Sequence, residues 1–180
     1  MKEKAATFEN LDTSARTIRK VLVVDDSRVQ RRIVSASLRK WGFCVQEADS
    51  GEEALASCQR DQPDLVLSDW MMPGLSGLDF CRAFREMPRK TYGYFILLTS
   101  KSDKDDIAYG LDAGADDFLT KPVNPSELRA RIAAGDRILR MERELTDKNR
   151  LIATTLDELQ KLYDSLDSDL IEARKLQQSL

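Results

Sequence analysis

The sequence predicts an α/β protein: a doubly wound sheet of five parallel strands with helices on both faces, followed by a long C-terminal helix. Three observations predict it. Strand-like and helix-like stretches alternate five times from residue 20 onward, joined by short loops, a pattern that calls for crossover helices and parallel strands. The first, third and fourth strand candidates are continuously apolar, as strands buried on both faces are. After Pro125 there is no further proline, and after Gly135 no glycine, so nothing interrupts a helix there.

Residues 1–19 are polar and unpatterned and read as a flexible leader, although "TSARTI" could form a short helix. The first strand is 20–24, and it is followed by a helix over 27–41. The second strand, 44–48 "CVQEA", carries Glu47, and the charge suits a sheet edge. A helix over 51–60 leads to the third strand at 65–68, a helix over 77–87 to the fourth at 95–98, and a helix over 104–112 to the fifth at 115–119. The last helix starts near Ser126. "NPSE" supplies its cap, either Asn124 with Pro125 at the first helical position or Ser126 itself. The predicted divisions are a leader over 1–19, an α/β domain over 20–137 and an extended helix over 138–180.

Composition narrows the function classes. With 28 basic and 31 acidic residues among 180, the formal charge is -3, which gives no reason to expect nucleic-acid binding. The absence of histidine excludes a Ser-His-Asp triad, an imidazole metal site and a phosphohistidine on this chain. Cys44, Cys58 and Cys81 follow no ligand spacing and read as small core residues in a reducing compartment. No stretch approaches the ~20 apolar residues of a membrane span, and no signal peptide is evident, so a soluble cytoplasmic protein is expected.

The chemistry is concentrated at strand ends. "VLVVDDS" runs a buried strand straight into two carboxylates, Asp25 and Asp26; adjacent acids there repel unless a cation joins them. In a parallel α/β sheet, sites form at the carboxyl ends of the strands. The third strand ends in Asp69, the fourth in Thr99 and Ser100, and the fifth is followed by Lys121-Pro122. Clustered carboxylates without sulfur or imidazole favour a hard ion, with Mg²⁺ the natural choice. A lysine and a hydroxyl beside it suit phosphoryl oxygens, and the central carboxylate can act as a nucleophile to form an aspartyl phosphate.

The last third carries an apolar stripe. Heptads counted from Ile138 give Ile138, Leu145, Ile152, Leu159, Leu166, Ala173 and Leu180 at a. The d positions mix Met141, Leu162 and Leu176 with Lys148, Thr155 and Asp169, while Leu156, Tyr163 and Leu170 at e partly replace them. Such a helix would run about 65 Å, beyond what one small domain covers, so a parallel dimeric coiled coil is expected. The alternative is a fold-back or a break near "TDKN".

Residues 20 to about 138 resemble the receiver domain of bacterial two-component response regulators. "VLVVDDS", "DLVLSDWMMPGLSGLDFCR", "ILLTS" and "GLDAGADDFLTKPVNPSEL" carry the resemblance, in the family's order and spacing. The resemblance implies a flavodoxin-like sheet of order 2-1-3-4-5, with Asp69 as phosphoacceptor from a phosphohistidine on a sensor histidine kinase or phosphotransfer protein. It implies that Asp26, helped by Asp25 and Asp69, binds Mg²⁺, with the backbone carbonyl of Met71 as a further ligand. Thr99 would turn toward the phosphoryl group and Lys121 would pair with the acceptor carboxylate across a cis Lys121-Pro122 bond. Phe118 matches the aromatic switch but lacks the hydroxyl often found there, so an inward state must rely on apolar burial. Met71 stands where a polar side chain is often seen, which leaves the dephosphorylation rate open.

A signal at Asp69 would reach the coil through the fifth helix. The closing "DLIEARKLQQSL" is similar to the helix preceding PP2C-type phosphatase domains, and "RIAAGDRILRMERELTDKN" to the exit helix of receivers fused to diguanylate cyclases; no separate output enzyme is read in this chain. No DNA-binding or membrane-binding surface is expected. Two other classes fit the same residues: a small-molecule phosphatase with an aspartyl nucleophile, against which Met71 counts because a general acid would be wanted there, and a scaffold that acts through the coil alone.

Overall fold

Five strands arise where apolar runs can be buried on both sides: β1 (Lys20–Val24), β2 (Cys44–Ala48), β3 (Leu65–Asp69), β4 (Tyr94–Thr99) and β5 (Asp117–Thr120). In the computed structural model, which describes residues 16–100, 109–110 and 112–179, they form one parallel sheet of order β2-β1-β3-β4-β5. Among the described residues, helices α1 (Arg28–Lys40), α2 (Gly51–Arg60), α3 (Gly77–Glu86) and α4 (Pro125–Gln178) accompany them. Every residue of β3 and β4 is buried, whereas β2, with Glu47, lies at an edge, where Arg39 Nη2 holds the Glu47 carboxylate at 2.8 Å.

Alternation along the strands sends successive side chains to opposite faces. Val21, Val23, Leu65, Leu67, Ile96 and Leu98 share one core with Val34 and Leu38 of α1 and Leu128, Ile132 and Leu139 of α4. Leu22, Val24, Val66, Phe95 and Leu97 share the other with Ala54 and Cys58 of α2 and Phe80, Cys81 and Phe84 of α3. The helices thus cover both faces, as the alternation of elements predicts. Cys58 and Cys81 belong to the second core, but Cys44 is exposed; it is the first residue of the edge strand β2.

Capping side chains set the helix starts. Ser27, Ser50 and Ser76 accept hydrogen bonds from Gln30, Glu53 and Asp79 backbone N–H groups at α1, α2 and α3. Asn124 Oδ1 accepts from the N–H groups of Ser126 and Glu127, so α4 begins at Pro125, the first of the two caps considered. Thr17 and Ile18 lie within the expected leader, yet both are buried: Asp136 Oδ1 on α4 accepts from their backbone N–H groups at 2.8 and 2.7 Å. Residues 1–15 and most of the predicted helix 104–112 lie outside the described residues.

The chain divides into two compact units, 1–140 and 141–180. In the second, the described residues form helix without interruption to Gln178, as the favoured reading of the last third requires, and the alternative of a break near "TDKN" does not occur. All the large apolar side chains among its described residues are exposed. Among the described residues no helix is long and apolar enough to cross a membrane.

Candidate functional site

Strand register brings the site together. Val24 pairs with Ser68, Asp69 with Leu98, and Thr99 with Thr120, so the carboxyl ends of β1, β3, β4 and β5 finish at one edge. Asp25 follows β1 directly, Asp69 ends β3, Thr99 ends β4, and Lys121 follows β5. Carboxylate oxygens of Asp25, Asp26 and Asp69 all lie within 4.8 Å of one another.

Lys121 joins the acids. Its Nζ lies 2.8 Å from Asp25 Oδ2 and 2.8 Å from Asp69 Oδ2. Both carboxylates are buried, at 2% and 8% exposure. The backbone fixes their remaining oxygens: the Ser27 N–H donates to Asp25 Oδ1 at 2.8 Å and the Met71 N–H to Asp69 Oδ1 at 3.3 Å. Asp26 is exposed, and no described residue hydrogen-bonds or ion-pairs with it. The three acids therefore divide into two that are held rigidly and one that can move.

Burial pushes the Asp69 carboxyl above the ordinary carboxylate range; the Lys121 ammonium opposes this, and the Asp25 carboxylate adds to it. For Lys121, burial works toward a lower pKa, but hydrogen bonds to Asp25 and Asp69 outweigh it and hold the ammonium above its ordinary value. A buried acid that binds its proton tightly is a basic, poorly solvated carboxylate once ionised, which suits a nucleophile. The donor set of three carboxylates fits a hard divalent ion. Asp26, which no described residue holds, would turn toward such an ion.

Thr99 is buried at 3% exposure, and its backbone carbonyl accepts from the Lys121 N–H at 2.7 Å. The Lys121-Pro122 bond is cis. Phe118 is half-buried against the second core. The Met71 side chain is 62% exposed, so only its backbone contributes to holding Asp69. Of the predicted dimer positions, Ile138 is 42% exposed, and Leu145, Ile152, Leu159 and Leu166 are 49–60% exposed. Ala173 is exposed as well, and Leu180 lies outside the described residues.

Two supports were not evident from sequence. A Cβ on Gly77 would stand 2.0 Å from the Asp69 carbonyl oxygen, so only glycine lets the start of α3 close over the end of β3. Its N–H donates to the Trp70 carbonyl at 2.9 Å. Arg31 Nη1 donates to the Asp25 carbonyl at 2.6 Å, anchoring the end of β1 from α1. The "LSG" signal shows a turn, but not which backbone it approaches.

Known proteins share this architecture. Residues 21–133 match the family model of the response regulator receiver domain. The chain is 38% identical over 116 residues to the alkaline phosphatase synthesis transcriptional regulatory protein PhoP of Bacillus subtilis, covering 64% of this chain and 48% of that protein. It spans about half the length of the curated relatives it matches. Among solved structures, Vibrio cholerae chemotaxis protein CheY4 aligns with a TM-score of 0.62 at 34% identity, covering 65% of this chain and 98% of that one. A two-component system response regulator/GGDEF domain protein aligns with a TM-score of 0.63 at 36% identity, covering 68% of this chain and 50% of that one. Buried Asp69, its lysine partner and the acid cluster at the sheet edge are the parts on which the phosphoacceptor chemistry typical of response regulators rests, and the chain belongs to the response regulator receiver domain family.

Proposed function

We propose that Asp69 accepts a phosphoryl group from a phosphohistidine on a sensor histidine kinase or phosphotransfer protein, in an Mg²⁺-dependent reaction, and that the C-terminal helix relays the change to an output domain or partner. The observation that carries this reading is the buried Asp69 carboxylate held 2.8 Å from Lys121 within a cluster of three acids. A carboxylate oxygen of Asp69 attacks phosphorus, the P–N bond to the donor imidazole breaks, and its electron pair stays on the ring nitrogen. Lys121 offsets charge on the phosphoryl oxygens as they arrive.

Asp25, Asp26 and Asp69, with the Met71 carbonyl, would hold Mg²⁺, which when bound neutralises negative charge on the phosphoryl group. Water later hydrolyses the acyl phosphate and restores Asp69, so the only turnover proposed is of the chain's own phosphoryl group. The Thr99 hydroxyl turns toward the new group and Phe118 moves fully into the second core, altering the surface that α4 and β5 share. Exposed Val29 and Ile33 on α1, the helix that follows Asp26, offer apolar contacts for the donor. The output is read as a PP2C-type phosphatase ahead of a diguanylate cyclase, reached through a homodimer of the C-terminal helix.

Intact-mass measurement after incubation with acetyl phosphate tests the reading. With Mg²⁺ the wild-type chain is expected to gain one phosphoryl group; with EDTA, or in Asp69→Ala, it is not. An equal gain in Asp69→Ala would remove Asp69 from its role.

A further inference from the structure

We propose that residues 145–177 pack against the same segment of a second copy of this chain, parallel and in register, along a seam other than the a/d stripe counted from Ile138. This rests on the dimeric reading of the C-terminal helix above and specifies its geometry. Both readings share the row Ile152, Leu159, Leu166 and Ala173. They differ in the neighbouring row. Three residues further on lie Thr155, Leu162, Asp169 and Leu176; four residues further on lie Leu156, Tyr163, Leu170 and Gln177. The first row places an acid in the middle of the seam, whereas the second has apolar residues in all but its last position. The second is the row that a buried stripe requires, so Leu156, Tyr163 and Leu170 take the a positions and the shared row takes d. Leu156, Tyr163 and Leu170 are 61–72% exposed, and nothing within the second unit covers them.

Charge identifies the other molecule as a copy. In this register Asp169 falls at g and Arg174 at e, and a parallel in-register pair brings each g beside the partner's e five residues later. Asp169 of one copy then meets the partner's Arg174, and symmetry repeats the contact. Within one chain the two cannot pair, because five residues place them on different sides of the helix. Neither has an ion pair among the described residues. By contrast, Lys161 and Asp157 close a pair within the chain at 2.7 Å, and both fall at outer positions of this register. Asn149 sits at a, four residues after Leu145. Opposite its own copy it can both donate and accept through its amide; in an antiparallel pair it would face an apolar d residue instead.

Cysteine cross-linking of the full chain, in a Cys44→Ser background with copper–phenanthroline as oxidant, tests the seam. Leu170→Cys is expected to form covalent dimer about tenfold faster than Leu162→Cys, since an a side chain faces its own copy and a g side chain does not. The reverse order would overturn this seam and leave the dimeric reading intact. Sedimentation equilibrium tests the direction. Asp169→Arg is expected to raise the dimer Kd about tenfold, and Asp169→Arg with Arg174→Asp to restore it; failure to restore it would overturn the parallel register. A wild-type chain that is monomeric at every concentration, with its helical circular dichroism retained, would overturn the dimeric reading itself.

Discussion

Leu139 and Leu145 stand six residues apart in one helix, yet Leu139 is 1% exposed and Leu145 55%. Leu139, with Leu128 and Ile132, packs on Ile96, Leu98 and Leu119 of the sheet; within the second unit, Leu145 and the leucines after it meet no such surface. Both segments carry leucines and isoleucines at helical spacing. The difference lies in the partner. Burying one such side chain is worth about 1.5–3 kcal/mol, and α4 gains this only over its opening turns. Within the second unit the rest of the helix has no such surface beside it, so the two segments should answer differently to the same substitution.

The largest contrast is expected between two isoleucines. Ile132→Ala should destabilise the receiver unit by about 2–5 kcal/mol in urea unfolding, because it leaves a cavity in the first core. Ile152→Ala should change the unfolding of the isolated chain by less than about 0.5 kcal/mol, and should weaken self-association instead. Equal effects on urea unfolding at low protein concentration would break the comparison.

Ion pairs sharpen it. Lys121→Met strands two buried carboxylates and should cost about 3 kcal/mol. Lys161→Met removes an exposed helix pair with Asp157 and should cost about 0.5 kcal/mol or less. The Lys121 contribution has a sign in pH. Since its folded pKa is raised, the stabilisation is complete below the unfolded value near 10.4 and fades as pH climbs through the folded one. The gap between wild type and Lys121→Met should therefore narrow in strong alkali, as denaturation midpoints on either side of that range would show.

The smallest effect concerns Asp69 alone. Its folded pKa is raised, mainly by burial, so its ionised form works against folding. Asp69→Asn should raise stability at neutral pH by about 1 kcal/mol or less, while Asp25 keeps Lys121 paired. That gain should fade as pH falls through the folded pKa toward the unfolded value, where wild type becomes neutral as well. A loss of stability at neutral pH would mean that the Lys121 pair outweighs burial.

Local chemistry explains how much of this was legible beforehand. Continuous apolar runs identify β1, β3 and β4, because strands buried on both faces leave no room for polar residues. The position of acids and Lys121 at strand ends then follows from topology. What escaped the sequence depends on contacts between distant segments. Asp136 reads as one charge on a helix face, but it holds the Thr17 and Ile18 backbone more than a hundred residues away. The need for Gly77 comes from the carbonyl of Asp69, and the exposure of Cys44 from its place on the edge strand. The heptad count from Ile138 finds both neighbouring rows, with Asp169 in one and Leu170 in the other, but the choice between them depends on a second molecule.

The ammonium of Lys121 has three hydrogens, and its two carboxylate partners engage two of them. One donor direction is left over. An incoming oxygen can therefore be bound without first releasing Asp25 or Asp69, so the geometry of the nucleophile need not be surrendered at the moment it is used. In this arrangement the lysine acts as a three-way junction with one arm open, and recognition of the arriving group becomes an addition to the network instead of an exchange within it.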